Sequence, residues 1–246
     1  MLLLIDIGNS NVKIGFHKNG GIKAFNTATQ RNADEYSHIL EMVVKKHKIG
    51  RPDAAALCSV VPDVTLPFSA ALKKSFGITP MTLTHKTKTG ITFPKGIGTD
   101  RMACVVAARR LHKGDLVVVT FGTATTLNVI TGDGKYRGGA IMPGLQLSAD
   151  ALSEKTAKLP KVSLKLPDKI LNKDTEGNIL TGIIVGHAGA AGRIIQEMEK
   201  ELGHDLTVVV TGGLASLVTP YLKTVDFVNP FLTLEGLRFI YEFNNQ

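Results

Sequence analysis

The sequence predicts an α/β fold of two duplicated lobes with a cleft between them. Three observations lead there. Strand-like apolar runs alternate with helical patterns along the whole chain. A strand–turn–strand–turn–strand opening occurs twice, once from Leu2 and again from Leu116. The two openings match, Ile5-Asp6-Ile7-Gly8-Asn9 with Val119-Thr120-Phe121-Gly122-Thr123, at an offset of 114 residues. A repeat of a whole half-chain resets the choice of fold, and clefts between lobes are favoured ligand sites. The predicted lobes are 1–115 and 116–246.

The elements follow in order. Leu2 to Ile7 is a continuous apolar run, as in a strand buried on both faces. Gly8-Asn9-Ser10-Asn11 is turn chemistry. Val12 to Phe16 alternates and reads as an antiparallel strand; Gly20-Gly21 turns, and Ile22 to Thr27 forms a third. Asp34 to Lys48 carries Ile39, Leu40, Val43 and Val44 at helical spacing. Ala54 to Val61 is a strand that stops at Pro62, and a helix follows through Phe68, Leu72 and Phe76. Thr79 to Gly98 is a loop with one short strand, and Asp100 to His112 a helix. In the second half, Leu116–Val119, Thr126–Thr131 and Lys135–Met142 are strands. A helix from Pro143 to about Ala157 precedes a loop, Leu159 to Lys173. A long helix runs from Asn178 to about Leu202. Its Gly182, Gly186, Ala188, Gly189, Ala190, Ala191 and Gly192 include poor helix formers and ask for a closely packed backbone. Leu206 to Val210 is a buried strand ending in Thr211-Gly212-Gly213. A short helix, a strand near Val225 and a helix from Thr233 close the chain.

Composition narrows the function. The 246 residues are 43% hydrophobic and 20% charged, which is enough apolar material for a core and excludes a disordered chain. The net charge of +8 suits acidic partners such as nucleotides. The basic residues are scattered, with no recognition helix or basic arm, so no nucleic-acid partner is expected. No apolar run approaches the roughly 20 residues of a membrane span. Met1 to Ile5 meets Asp6 too early for a signal peptide. A cytoplasmic protein without a membrane partner is expected. Two cysteines, Cys58 and Cys104, cannot make a disulfide framework or a zinc site and read as small core residues. The seven histidines lack metal-ligand spacing and read as structural or exposed. Neither Gly-x-Ser-x-Gly nor a P-loop motif is present, which disfavours those hydrolase and nucleotide-binding classes.

Four constellations carry chemistry. Asp6 ends a buried strand, and Gly8 lets a phosphate approach the backbone. Asn9, Ser10 and Asn11 add donors, with Lys13 beyond. Such turns bind anions, and a carboxylate beside phosphates is how Mg²⁺ is held. Alone, the motif is also an ordinary Asn/Gly hairpin turn. Phe121-Gly122-Thr123-Ala124-Thr125-Thr126 occupies the equivalent place in the repeat. Thr211-Gly212-Gly213 leaves room for a flat group such as a nucleoside. Gly98-Thr99-Asp100-Arg101 opens a helix. Its Asp is either a cap or a general base beside an anion clamp.

Together these blocks resemble the type III pantothenate kinases, members of the actin/sugar kinase/Hsp70 superfamily. Further blocks in order are Ser59-Val60-Val61-Pro62, Lys88-Thr89-Gly90, Gly138-Gly139-Ala140-Ile141-Met142-Pro143-Gly144 and Leu232-Thr233-Leu234-Glu235-Gly236-Leu237. The resemblance implies two ribonuclease H-like lobes with mixed sheets and an interlobe cleft, the actin-like ATPase fold. It implies transfer of the ATP γ-phosphate to the primary hydroxyl of pantothenate, the first step toward coenzyme A. It also implies a homodimer, Mg²⁺, and K⁺ or NH₄⁺. Carried over, Asp6, Ile7, Gly8, Asn9, Ser10, Asn11, Val12 and Lys13 form the phosphate loop, with Asp6 on Mg²⁺. Thr123 contacts ATP, and Gly212 and Gly213 lie under the adenosine. Asp100 is the base. Gly98, Thr99, Asp100, Arg101 and Thr175 contact pantothenate.

The chain departs from the family at three places. Thr120 stands where the family has an Asp that resembles a monovalent-cation ligand. Asn128 stands at another Asp position. The substrate-contact Tyr ahead of Gly-x-Asp-Arg has no match, and Phe93 is the nearest aromatic. These departures keep two alternatives open: an impaired homologue acting as a binding or transcription accessory protein, and a kinase for another small alcohol.

Overall fold

The computed structural model describes residues 1–29 and 31–245. The chain divides into two compact units, Met1–Leu111 with Phe231–Gln246, and His112–Pro230.

The first unit is built on a mixed five-stranded sheet of order β3-β2-β1-β4-β5. Its strands are β1 (Leu2–Ile7), β2 (Asn11–Lys18), β3 (Gly21–Ala28), β4 (Ala54–Ser59) and β5 (Met81–Thr82). β1 runs antiparallel to β2 and parallel to β4. Leu3, Ile5 and Ile7 point to one face. There they join buried side chains of α1 (Ala33–Lys46) and α2 (Pro62–Phe76), including Tyr36, Leu40, Phe68 and Leu72. The other face is covered by α3 (Thr99–Leu111) and α7 (Leu232–Asn244). Local chemistry sets the helix boundaries: Asn32 and Glu35 form a reciprocal capping box on α1, and Gly77 ends α2 in the left-handed region.

The second unit repeats that plan. Its sheet has order β10-β9-β6-β7-β8, with strands β6 (Leu116–Phe121), β7 (Ala124–Ile130), β8 (Tyr136–Pro143), β9 (Thr207–Thr211) and β10 (Phe227–Val228). Reading β6 for β1, β7 for β2, β8 for β3, β9 for β4 and β10 for β5 reproduces every neighbour and every parallel or antiparallel pairing. The duplication expected from the sequence is therefore present in the topology. Val117, Val119 and Phe121 pack beneath α4 (Leu145–Lys155), α5 (Thr175–Leu202) and the short α6 (Ala215–Val218).

Several expectations are corrected. The predicted second lobe ran to residue 246, but α7 packs on α3 and β1 of the first unit, burying Leu232, Leu234, Leu237 and Ile240. The strand expected near Val225 lies at Phe227–Val228. α5 starts at Thr175, three residues before the predicted Asn178, because Asp174 caps it by accepting from the Gly177 N–H at 2.7 Å. The small residues of α5 do not serve close packing throughout. A Cβ on Gly182, Gly186 or Gly189 meets nothing within 4 Å. At 28 residues α5 is long and apolar enough to cross a membrane by composition alone. In the fold one face of it, including Ile179, Ile183, Ile184 and Ile195, is core.

Candidate active site

In the first unit, the site begins where β1 ends. Asp6 lies across the ladder from Lys13 on β2 and from Cys58 on β4. Residues paired in register share a face, so Asp6 points to the α3/α7 side. Its neighbours Ile5 and Ile7 point into the core beneath α1 and α2. Burial pushes the Asp6 carboxyl up to about 6. The negative charge of Asp100 adds to the shift, while Lys13, the Cys58 thiol and the Thr233 hydroxyl act against it.

The following turn is pinned. The Gly8 N–H donates to the Asn11 carbonyl at 3.0 Å, and the Thr29 hydroxyl donates to the Gly8 carbonyl at 2.7 Å. Asn9, Ser10 and Asn11 are exposed. Ile7 and Val12 bury their side chains in the core, so only their backbones remain for a ligand.

Asp100 sits in the first turn of α3 and is partly buried. Burial raises its pKa, opposed by the Arg101 N–H, which donates to Oδ1 at 2.8 Å, and by the Arg101 charge. The Thr99 hydroxyl donates to the Ser59 carbonyl at 3.0 Å and ties the start of α3 to the end of β4. Phe93 is partly buried in the loop before α3. The Asn244 side chain on α7 holds that loop by donating to the Lys88 carbonyl at 2.7 Å. Asp6, Lys13, Gly98, Thr99, Asp100 and Arg101 thus belong to one unit, and the two carboxylates lie close enough for one to raise the other.

In the second unit, Thr120 occupies the strand position that Asp6 holds in the first. It is paired with Thr126 on one side and Thr211 on the other, a row of three hydroxyls across β7, β6 and β9. Asn128 is buried; its amide donates to Thr126 Oγ1 at 3.3 Å, and it accepts from the Tyr136 hydroxyl at 3.0 Å. Thr123 is exposed at the β6–β7 turn, where the Gly122 N–H donates to the Ala124 carbonyl at 3.2 Å. Gly212 has φ +106°, and a methyl there would overlap the Phe121 backbone. Its lack of a side chain therefore lets the β9 end pack on β6. At Gly213 the Cβ direction is open. Thr175 is exposed at the start of α5. It borders a groove of about 580 Å³ with Ser148, Leu152, Asn178 and Gly182, none of them a predicted site residue.

The profile of the type III pantothenate kinases matches residues 2–197. The type III pantothenate kinase of Roseiflexus castenholzii is 41% identical over 255 residues and covers 100% of both chains. This chain belongs to the type III pantothenate kinases. Among solved structures, a ROK family glucokinase from Streptomyces griseus superposes with TM-score 0.53 at 14% identity, covering 96% of this chain and 97% of that one. A Campylobacter jejuni protein assigned to the Baf family of transcriptional activators superposes with TM-score 0.63 at 20% identity, covering 99% and 98%. Both likenesses concern the fold, which is the two-lobed actin-like arrangement.

Three residues of this pantothenate kinase family member escaped the sequence reading. Cys58 and Cys104 are buried, as expected of small core residues. They are also hydrogen-bonded around the site: Cys58 Sγ donates to Asp6 Oδ1 at 3.4 Å, and Cys104 Sγ lies 3.2 Å from Thr233 Oγ1. A usable signal was present. Asp100 and Cys104 are four apart on one helix and share a face, and Thr233 interrupts the apolar side of α7.

Among the described residues no group of three or more His, Cys, Asp or Glu is placed to hold a metal. A Mg²⁺ that arrives with nucleotide does not need one, because it keeps waters and phosphate oxygens and takes one or two carboxylates. Asp6 fits that role. Its raised pKa is the mark of a carboxylate whose charge is poorly compensated by the protein alone. The Thr126–Thr120–Thr211 row offers neutral oxygens and no carboxylate for a monovalent cation.

Proposed function

We propose that this chain transfers the γ-phosphate of ATP to the primary hydroxyl of pantothenate, forming 4′-phosphopantothenate and ADP. The observation that carries the reading is the carboxylate pair: Asp6 and Asp100 both have raised pKa values, and Asp100 contributes to the shift of Asp6. A base matched to a hydroxyl benefits from a raised pKa. Asp100 takes the hydroxyl proton as the oxygen bonds to the γ-phosphorus and the bond to the ADP oxygen breaks. Gly98, Thr99 and Arg101 hold pantothenate, with Arg101 on its carboxylate and Phe93 against its apolar part. Thr175 adds a contact from a second copy of the chain.

The Gly8–Asn11 turn and Lys13 take phosphate oxygens, Thr123 contacts ATP, and Gly213 lies open beneath the adenosine. Asp6 holds Mg²⁺, which supplies charge neutralisation at the phosphates. Catalysis here rests mainly on positioning and charge, as is general for phosphoryl transfer. The exposed Gly182, Gly186 and Gly189 on α5 support a homodimer, since they leave an uncovered small-residue surface beside Thr175. A cytoplasmic setting agrees with two free, buried thiols. One assay tests the reading: ATP consumption with pantothenate as acceptor, with and without K⁺. Turnover that needs pantothenate supports it. Full ATP consumption without pantothenate, or none with it under any cation, rejects it.

A further inference from the structure

Thr233 belongs to a sequence block, Leu232 to Leu237, that the proposed reaction leaves without a task. Its neighbours on α7, Leu232, Leu234, Leu237 and Ile240, are apolar and fully buried. Thr233 is buried too, at 8% exposure, yet carries a hydroxyl. That hydroxyl lies 3.2 Å from Cys104 Sγ and close enough to Asp6 to favour its carboxylate form. Cys58 reaches Asp6 from the other side at 3.4 Å.

A carboxylate only accepts, and a hydroxyl has one proton. Toward an ionised Asp6 the Thr233 hydroxyl can only donate, and in that state it accepts from Cys104. Cys58 donates as well. Both thiols hold their protons at neutral pH, because burial pushes Cys104 up to about 12 and Cys58 well above its ordinary value.

We infer that Thr233, Cys104 and Cys58 are positioning residues for Asp6: the chain Cys104–Thr233–Asp6–Cys58 fixes the carboxylate for a metal–nucleotide complex and couples it to α3, the helix whose first turn carries Asp100. The four residues come from α3, α7, β1 and β4, so the network joins both helices over the sheet to its two central strands, with Lys13 on β2 as the remaining neighbour of Asp6. Cys104 sits one turn after Asp100 on the same helix face, which makes the registry of Asp6 and Asp100 a shared property. Gly236, one turn after Thr233, permits the approach: a methyl there would overlap the Ala103 carbonyl, next to Cys104. A valine at 233 would fill the same volume, so packing alone does not call for the hydroxyl.

This inference rests on Asp6 as the metal–phosphate carboxylate, and the experiment separates the two. Binding of the non-hydrolysable analogue AMPPNP is measured by calorimetry with Mg²⁺, alongside Mn²⁺ binding by electron paramagnetic resonance and steady-state kinetics. Thr233→Val is expected to weaken analogue and Mn²⁺ binding and raise KM for ATP by about 10-fold, the scale of one hydrogen bond to a charged group. KM for pantothenate stays within about 2-fold. Thr233→Ser restores the values, which a merely structural role would not require. Cys58→Ala gives a smaller loss in the same quantities, and Cys58→Ser restores it. A folded Thr233→Val enzyme with wild-type affinity and KM overturns the inference, as does failure of the serine to rescue. If the valine variant does not fold, the Cys58 pair decides, and wild-type affinity in Cys58→Ala overturns it. Asp6→Asn is the control. If it is impaired while the Thr233 and Cys58 variants are not, only the positioning role fails. If Asp6→Asn itself binds normally, the reading of Asp6 fails and the positioning role with it.

Discussion

Asp6 and Lys13 face each other across the β1–β2 ladder, yet the carboxyl of Asp6 remains raised. Burial and Asp100 together outweigh the nearby ammonium. The native state therefore binds a proton at Asp6 more readily than the unfolded chain, whose carboxyl titrates near 3.8. Stability contributed by this group rises as pH falls from about 6 toward 4 and is absent above that window. In metal-free protein, Asp6→Asn is expected to raise stability at pH 7.5, on the order of 1–3 kcal/mol, with the gain vanishing near pH 4. Urea melts at both pH values check this; equal gains at both would remove the assignment.

Asp100→Asn keeps shape and hydrogen-bonding capacity but cannot accept a proton. The expected loss in kcat is about 10²–10⁴-fold, with pantothenate affinity changed little. Rapid-quench kinetics beside pantothenate calorimetry provide the check. Because the pKa of Asp100 is raised, the wild-type rate should also fall on the acidic side at higher pH than an ordinary carboxylate predicts. Near wild-type turnover in the variant would sink the base assignment.

The Thr126–Thr120–Thr211 row carries no formal charge. With no carboxylate there to fix K⁺, the wild type is expected to turn over in sodium-free Tris buffer without added K⁺. Thr120→Asp should introduce K⁺ activation. Strong K⁺ activation of the wild type would mean that hydroxyls and carbonyls suffice as ligands.

A bulky residue on the exposed glycine row of α5 tests the dimer. Gly186→Arg points into open space within the chain, so the fold should tolerate it. Light scattering is expected to give twice the 26.4 kDa chain mass for the wild type and a single chain mass for the variant. A wild type of single-chain mass at micromolar concentration rejects the dimer.

Gly236→Ala should be costly despite the better helix propensity of alanine. The added methyl overlaps the Ala103 carbonyl, so α7 must lift from α3. A loss of about 1–3 kcal/mol is expected, together with weakened metal–nucleotide binding as Thr233 withdraws from Asp6. Denaturant melts and AMPPNP titration measure the two effects separately.

Much of this was legible in the chain. The match of Ile5–Asn9 with Val119–Thr123 anticipates two sheets of one topology, because a buried central strand and its turn need the same residue types each time. The blocks that hold Asp6, Asp100, Thr123 and Gly213 likewise carry the resemblance to the pantothenate kinases, which the family profile and the Roseiflexus relative show. What escaped depends on contacts between distant segments. Cys58 and Cys104 look like small apolar fillers until β4 is placed beside β1 and α3 over both. That Gly212 must lack a side chain for β9 to meet Phe121 on β6 is equally a contact between distant segments. The return of α7 to the first unit was missed because its apolar pattern states that it packs, not where.

That return has a consequence for the order in which the protein forms. The second unit is one unbroken segment, 112–230, set between the two parts of the first. During synthesis, β1 and α3 emerge early, but the helix that buries their shared face is translated only after the whole inserted segment. Until then Leu4 and Ala103 lack their cover, and Asp6 lacks Thr233 beside it. The nascent first unit thus stays incomplete for as long as 112–230 is being made.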